Sequence, residues 1–164
     1  MRVLGIDPSS QATGFGIIEC AGQKYSPLCY GIITPSRRLP FYQKINEIKA
    51  ELDKIIEAYA PDEVAIENPF YAQNIRTALA LGQVRGAILV AIAAHGCVLY
   101  EYSALEIKKA VTGYGQADKE QVKTMIRALL EIDDPRLPTD ASDALAAAIC
   151  HLNTRSFQKQ LEGH

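Results

Sequence analysis

Val3, Leu4 and Ile6 form an apolar run interrupted only by Gly5, the pattern of a short strand buried on both faces. Asp7 stops the run. Pro8, Ser9 and Ser10 break the strand, and Gly14 and Gly16 open a second one through Phe15, Ile17 and Ile18. Residues 25–34 read as a third strand, completing an antiparallel meander, and a basic loop bounded by Pro35 and Pro40 follows. Over residues 41–59, Ile45, Ile48, Leu52, Ile55, Ile56 and Tyr59 recur at helical spacing. Lys44, Glu47, Lys49, Glu51 and Lys54 are left mostly toward water, and Pro61 closes that helix. Residues 63–68 favour a strand, which again ends in a carboxylate, Glu67.

A long alanine-rich helix is expected over residues 74–95, ended by Gly96. It carries Ala78, Gly82 and Gly86 at four-residue spacing. Glycine inside a helix costs about 1 kcal/mol relative to alanine, which close approach of another backbone offsets. That backbone is either the sheet beneath or the same helix of a second subunit. The second subunit is favoured, because the helix has more small-residue surface than one sheet face needs. Residues 97–102 read as a fifth strand. Ser103 then caps a helix, with Glu106 completing a capping box. The turn Gly113-Tyr114-Gly115 leads to a helix over 118–132. After a loop with two prolines, a last helix spans 140–153, and the polar tail beyond Arg155 is expected to fray. Strands first in a meander and then alternating with helices describe an α/β domain with a mixed sheet.

At 164 residues, 48% hydrophobic and 22% charged, the chain is most simply one domain with a sizeable core. Cys20, Cys29, Cys97 and Cys150 make no C-x-x-C pair and sit in apolar settings, so four reduced core thiols are expected. The start of the chain lacks the pattern of a signal peptide, and Arg85 and His95 break the greasiest helix. A cytoplasmic location without a membrane is therefore expected. A net charge of −2 argues against a generally adhesive nucleic-acid binder. Any basic footprint must be local, from among Arg37, Arg38, Arg76, Arg85, Lys108, Lys109, Lys119 and Lys123.

The chemistry lies in the acids. Asp7 and Glu67 each end a strand, while Asp140 and Asp143 stand three apart on the opening turn of the last helix and share a face. Singly, Asp7 is as readily a turn former, and Asp140 and Asp143 are ordinary complements to a helix dipole. Together they form an oxygen-only set that repels itself unless cations intervene, a set suited to magnesium or manganese. Two such ions about 3.5–4 Å apart can activate a water and stabilise the leaving oxygen of a phosphodiester. No P-loop, Ser-His-Asp or H-E-x-x-H arrangement competes, and His95 and His151 lie on apolar helices as core or edge residues.

The motifs G-I-D-P-x-x-x-x-T-G-F-G, A-I-E-N-P-F, A-L-x-L-G-Q-V-R-G-A and D-A-S-D-A-L-A-A-A resemble, in order and spacing, those of the RuvC family of bacterial Holliday junction resolvases. The resemblance extends to about residue 153. It implies a ribonuclease-H-like α/β fold, a five-stranded mixed sheet of three antiparallel then parallel strands flanked by helices. The expected division is a nuclease domain over 1–155 and a polar, flexible tail over 156–164. By the same resemblance, Asp7, Glu67, Asp140 and Asp143 are the catalytic and metal-binding carboxylates, with two Mg2+ ions for which Mn2+ can substitute. Lys108 and Lys119 would meet DNA phosphates, Arg76 and Tyr71 would lie at the DNA, and Phe70 would enter the junction core. A homodimer through Ala78, Gly82 and Gly86 would cut two strands of like polarity symmetrically, in company with the branch-migration proteins RuvA and RuvB. One departure stands out: Ser9 occupies a position the family usually gives to glycine, and it would be strained if that position needs positive φ.

Other readings are a ribonuclease-H-like nuclease for structured RNA, a sugar-kinase or ATPase-like fold, and a non-catalytic junction-binding module. The kinase-like fold needs a second, duplicated domain for which the chain has no room. The binding module leaves the acids without a role. The residues alone reach a magnesium-dependent phosphodiesterase; the junction substrate comes from the resemblance.

Overall fold

The computed structural model describes residues 1–68 and 74–162. Five strands, β1 (Arg2–Asp7), β2 (Thr13–Ala21), β3 (Lys24–Ile33), β4 (Glu63–Glu67) and β5 (Val98–Tyr102), form one sheet in the order β3-β2-β1-β4-β5. The first three pair antiparallel, and β1–β4 and β4–β5 pair parallel, as the alternation of elements implies. Helices α1 (Phe41–Tyr59) and α2 (Ile75–Ala94) cover one face. Helices α3 (Ala104–Thr112), α4 (Lys119–Leu129) and α5 (Thr139–Glu162) cover the other.

Side chains alternate across a strand, and this alternation sorts the two layers. On β1, Leu4 and Ile6 enter the core beneath α1 and α2, whereas Val3 faces α5. Asp7 falls in phase with Val3 and so also faces α5. On β4, Val64 and Ile66 join the α1–α2 core, while Glu63, Ala65 and Glu67 fall in the opposite phase, Ala65 within the α5 core.

Close approach is what lets α5 sit on this sheet. A Cβ on Gly5 would stand 1.9 Å from the carbonyl oxygen of Ala144, and one on Gly14 would stand 1.9 Å from that of Asp140. Ala141, Ala144 and Ala148 are fully buried along the same contact. On the outer edge, β3 accommodates Pro27 opposite a register shift at Ile17/Ile18, since an edge strand needs no further N–H there.

Several local expectations change. Helix α5 continues past Asn153 to Glu162, because the stretch after Arg155 has no proline or glycine until Gly163 to stop it. Of the cysteines, Cys150 is buried in the core, but Cys20, Cys29 and Cys97 are only half-buried, and all four are free. Cys20 and Cys97 lie at element ends and Cys29 on the edge strand β3, positions that leave one side open. Ser9 is not among the non-glycine residues at positive φ, which are Ala60 and Glu131, so serine is unstrained where the family has glycine.

Candidate active site

The two in-phase glutamates of β4 meet opposite fates. Glu63, at the start of the strand, accepts from Arg155 at 2.6 Å and lies 2.5 Å from Nε2 of His151, whose Nδ1 is 2.7 Å from the Tyr102 hydroxyl. Burial opposes its charge, but the hydrogen bonds from His151 and Arg155 outweigh it and hold the carboxyl below the ordinary glutamate value. Glu67, at the other end, meets acids. Burial and then Asp143 push its carboxyl up, against the opposing pull of Lys119 and Lys108. One end of the α5–β4 contact is a satisfied polar network. The other is a concentration of like charge that folding alone does not require.

Asp7 joins that concentration from β1, while Asp140 and Asp143 come from the first turn of α5, lowered onto β2 at Gly14. Burial, joined by the charges of Asp143, Glu67 and Asp140 and opposed by Lys119, raises the Asp7 carboxyl to about 7. Asp140 is raised as well, by burial and by Asp143. Lys119 lies 3.1 Å from Asp143 and has its own ammonium pushed up, chiefly by that carboxylate. A cavity of about 350 Å³ opens over the cluster. Asp7, Glu67, Asp143, Lys108 and Lys119 are among its lining residues; Asp140 is not.

The donor set fits hard divalent cations: it is all carboxylate oxygen, and its excess negative charge is matched locally by one close ammonium. Among the described residues, no three acidic, histidine or cysteine side chains stand at metal-binding spacing. The match is therefore one of donor type and charge, not of a finished coordination shell.

Of the other sequence-derived candidates, Lys108 is half-buried against the cavity and Arg76 is exposed on the first turn of α2. Phe70 and Tyr71 lie outside the described residues. Ala78 and Gly82 are exposed and Gly86 half-buried on α2, and a Cβ on either glycine would meet nothing within 4 Å. The glycines thus do not serve packing on their own sheet. Ile75, Leu79 and Val90 continue this open apolar face, being 79%, 63% and 59% exposed. By length and mean hydropathy of 1.7, α2 could also cross a membrane, although Val84, Ile88, Ala91 and Ile92 bury its inner face in the core.

Arg85 makes a contact that the sequence does not show. It reads there as part of a solvated basic patch, yet its side chain turns inward from α2. It donates to the carbonyl of Glu67 at 2.9 Å and pairs with Glu101 of β5. Arg85 thereby fixes the end of β4 on which the Glu67 carboxylate stands. A cation inside an apolar helix was the sequence signal, and it does not specify direction.

Residues 3–151 match the family model for crossover junction endodeoxyribonuclease RuvC. A crossover junction endodeoxyribonuclease RuvC of Geobacter sulfurreducens is 46% identical over 161 residues, covering 98% of both chains. One from Caldanaerobacter subterraneus is 41% identical over 161 residues, again with 98% of each covered. Among solved structures, Thermus thermophilus RuvC in complex with a Holliday junction substrate superposes with a TM-score of 0.90 at 30% identity, over 96% of each chain. The yeast mitochondrial Holliday junction resolvase shares the fold, with a TM-score of 0.68 at 14% identity over 97% of this chain and 85% of that one.

Proposed function

The chain belongs to the RuvC family of crossover junction endodeoxyribonucleases, and from that premise we propose that it resolves four-way DNA junctions, with Asp7, Glu67, Asp140 and Asp143 as the catalytic, metal-holding carboxylates. The observation that carries the residue assignment is the meeting of these acids, from β1, β4 and α5, beside a cavity that Lys108 and Lys119 also line. Mg2+ ions bound by these acids, two to a site and replaceable by Mn2+, supply activation of a water and stabilisation of the leaving oxygen in phosphodiester hydrolysis.

The chain's own groups do the rest. Lys119 has a side chain 69% exposed, so it can leave Asp143 for a substrate phosphate and free that carboxylate as DNA arrives. Lys108 holds the same backbone from the other wall, and Arg76 extends the contact along α2. Arg85 keeps Glu67 aimed by gripping its carbonyl. The open face around Gly82 and Gly86 supports a homodimer through α2, which would pair two acid clusters for symmetric nicking. Family membership extends the proposal to RuvA and RuvB as partners and to a cytoplasmic setting, in recombination and repair.

Incubation with a synthetic four-way junction, with and without Mg2+, tests the reading. Paired nicks are expected only with the metal. Asp7→Asn, Glu67→Gln, Asp140→Asn and Asp143→Asn should each abolish cutting and leave junction binding nearly intact, since phosphate contacts supply affinity. Near wild-type cutting by Asp143→Asn would remove it from the set. Preference for a matched RNA junction would transfer the activity to RNA.

A further inference from the structure

We propose that the groove between the β1–β2 turn and the start of α1 seats the phosphate backbone of a duplex arm leaving the cut site, so that DNA is held on both flanks of the acid cluster. The proposal rests on the junction-nuclease reading and extends it to a surface which that reading leaves unused.

The groove has a volume of about 610 Å³ and is walled by Ser10, Gln11, Thr34, Arg37 and Lys44. No carboxylate lines it, and among the described residues neither Arg37 nor Lys44 enters an ion pair. Glu47, one helical turn beyond Lys44, instead accepts from the backbone N–H of Ser36 at 2.9 Å. The first turn of α1 carries no acid either, and Arg38 stands exposed beside the groove. In a chain of net charge −2, this is a local positive field with hydroxyl and amide donors on its rim. The turn that forms one wall is braced from within: Thr13 donates to the carbonyl of Ser9 at 2.6 Å and accepts from its N–H at 3.3 Å.

Placement selects DNA over an acidic protein. Asp7 pairs with Gly14, and Thr13 pairs with Ile33, so Thr34 lies at the same end of the sheet as Asp7, two strands across. Strand spacing puts that at about 10 Å. Successive phosphates of one strand advance about 3.4 Å along a duplex axis while also winding around it, so the groove lies within the first few nucleotides of the phosphate at the acids. Lys108 and Lys119 flank the cluster from α3 and α4, on the other face of the sheet from α1. Such contacts hold register without reading bases.

The test is junction binding by Arg37→Gln/Lys44→Gln in EDTA over a series of salt concentrations. Losing two phosphate contacts should lower the slope of log K against log salt by about 1.8, with an unchanged melting temperature. Neutral methylphosphonate linkages placed one to four nucleotides from the cut, on each side in turn, then locate the contact. On one side they should weaken wild-type binding and leave the double variant no weaker than on unmodified DNA. An unchanged slope, or additive effects of variant and linkage, overturns the proposal and leaves an acidic protein as the groove's partner. If the wild type neither binds nor cuts the junction, the premise itself fails, whereas normal cutting with an unchanged slope removes the groove alone.

Discussion

Asp7 is held against burial and against three neighbouring acids, which is why its carboxyl rises to about 7. A carboxylic acid raised in the folded state stabilises the fold at low pH, and that contribution is lost as pH climbs from its ordinary 3.8 through about 7. In EDTA, Asp7→Asn should therefore melt higher than wild type at pH 8, by about 1–3 kcal/mol of stability, and the two should converge near pH 4. Added Mg2+ should close the gap at pH 8 by stabilising the wild type alone. Thermal melts across pH read all of this, and an Asn variant less stable at pH 8 would mean that Asp7 is a structural turn former. Glu63 is the internal contrast. It shares a strand face with Glu67 but is matched by His151 and Arg155, so neutralising it should only destabilise.

Two elements transmit position to the cluster. Helix α5 reaches its depth because β1 and β2 present no Cβ where it crosses. Gly14→Ala would set a carbon 1.9 Å from the Asp140 carbonyl, and the first turn of α5 must then lift. The expected result is a stability loss of about 1–3 kcal/mol with loss of cutting well beyond it, measured as turnover per folded molecule. Gly5→Ala, deeper along the same helix, should cost similar stability and leave the acid geometry closer to native. Helix α2 acts through Arg85. Arg85→Ala removes the donor to the Glu67 carbonyl and the partner of Glu101, a loss of about 1.5–3 kcal/mol. Turnover should drop with junction affinity held. Lost affinity at unchanged turnover would instead make Arg85 a DNA contact.

On the scale of the whole molecule, α2 has an apolar outer face without a covering partner among the described residues. Because a side chain at Gly82 or Gly86 meets nothing, Gly82→Leu and Gly86→Leu should fold normally as protomers. Sedimentation should then show monomers, and junction assays should show loss of paired incision with single nicks persisting. A variant that stays dimeric and still cuts in pairs would place the dimer contact elsewhere.

Local pattern was enough for the elements. The run Val3–Leu4–Ile6, the helical spacing over 41–59 and the Ser103/Glu106 capping box each encode structure within a few residues, and α1 and α3 form as those signals dictate. The strand-end placement of Asp7 and Glu67 was legible too, because a carboxylate ending a buried strand stands out wherever its partner lies, whereas Asp140 and Asp143 read singly as ordinary residues of a helix start. What the sequence left open depends on residues far apart in the chain. The direction of Arg85, the opposite surroundings of Glu63 and Glu67, the withdrawal of Asp140 from the cavity lining and the meeting of Arg37 and Lys44 with the Ser10 turn are all set by how layers stack. Helix α5 running on to Glu162 is the mirror case, since propensity continued where no stop residue stood. Periodicity fixes which way a side chain faces on its own element. Only packing decides what it faces, and that decision pairs Glu63 with His151 and Arg155 and sets Glu67 among acids.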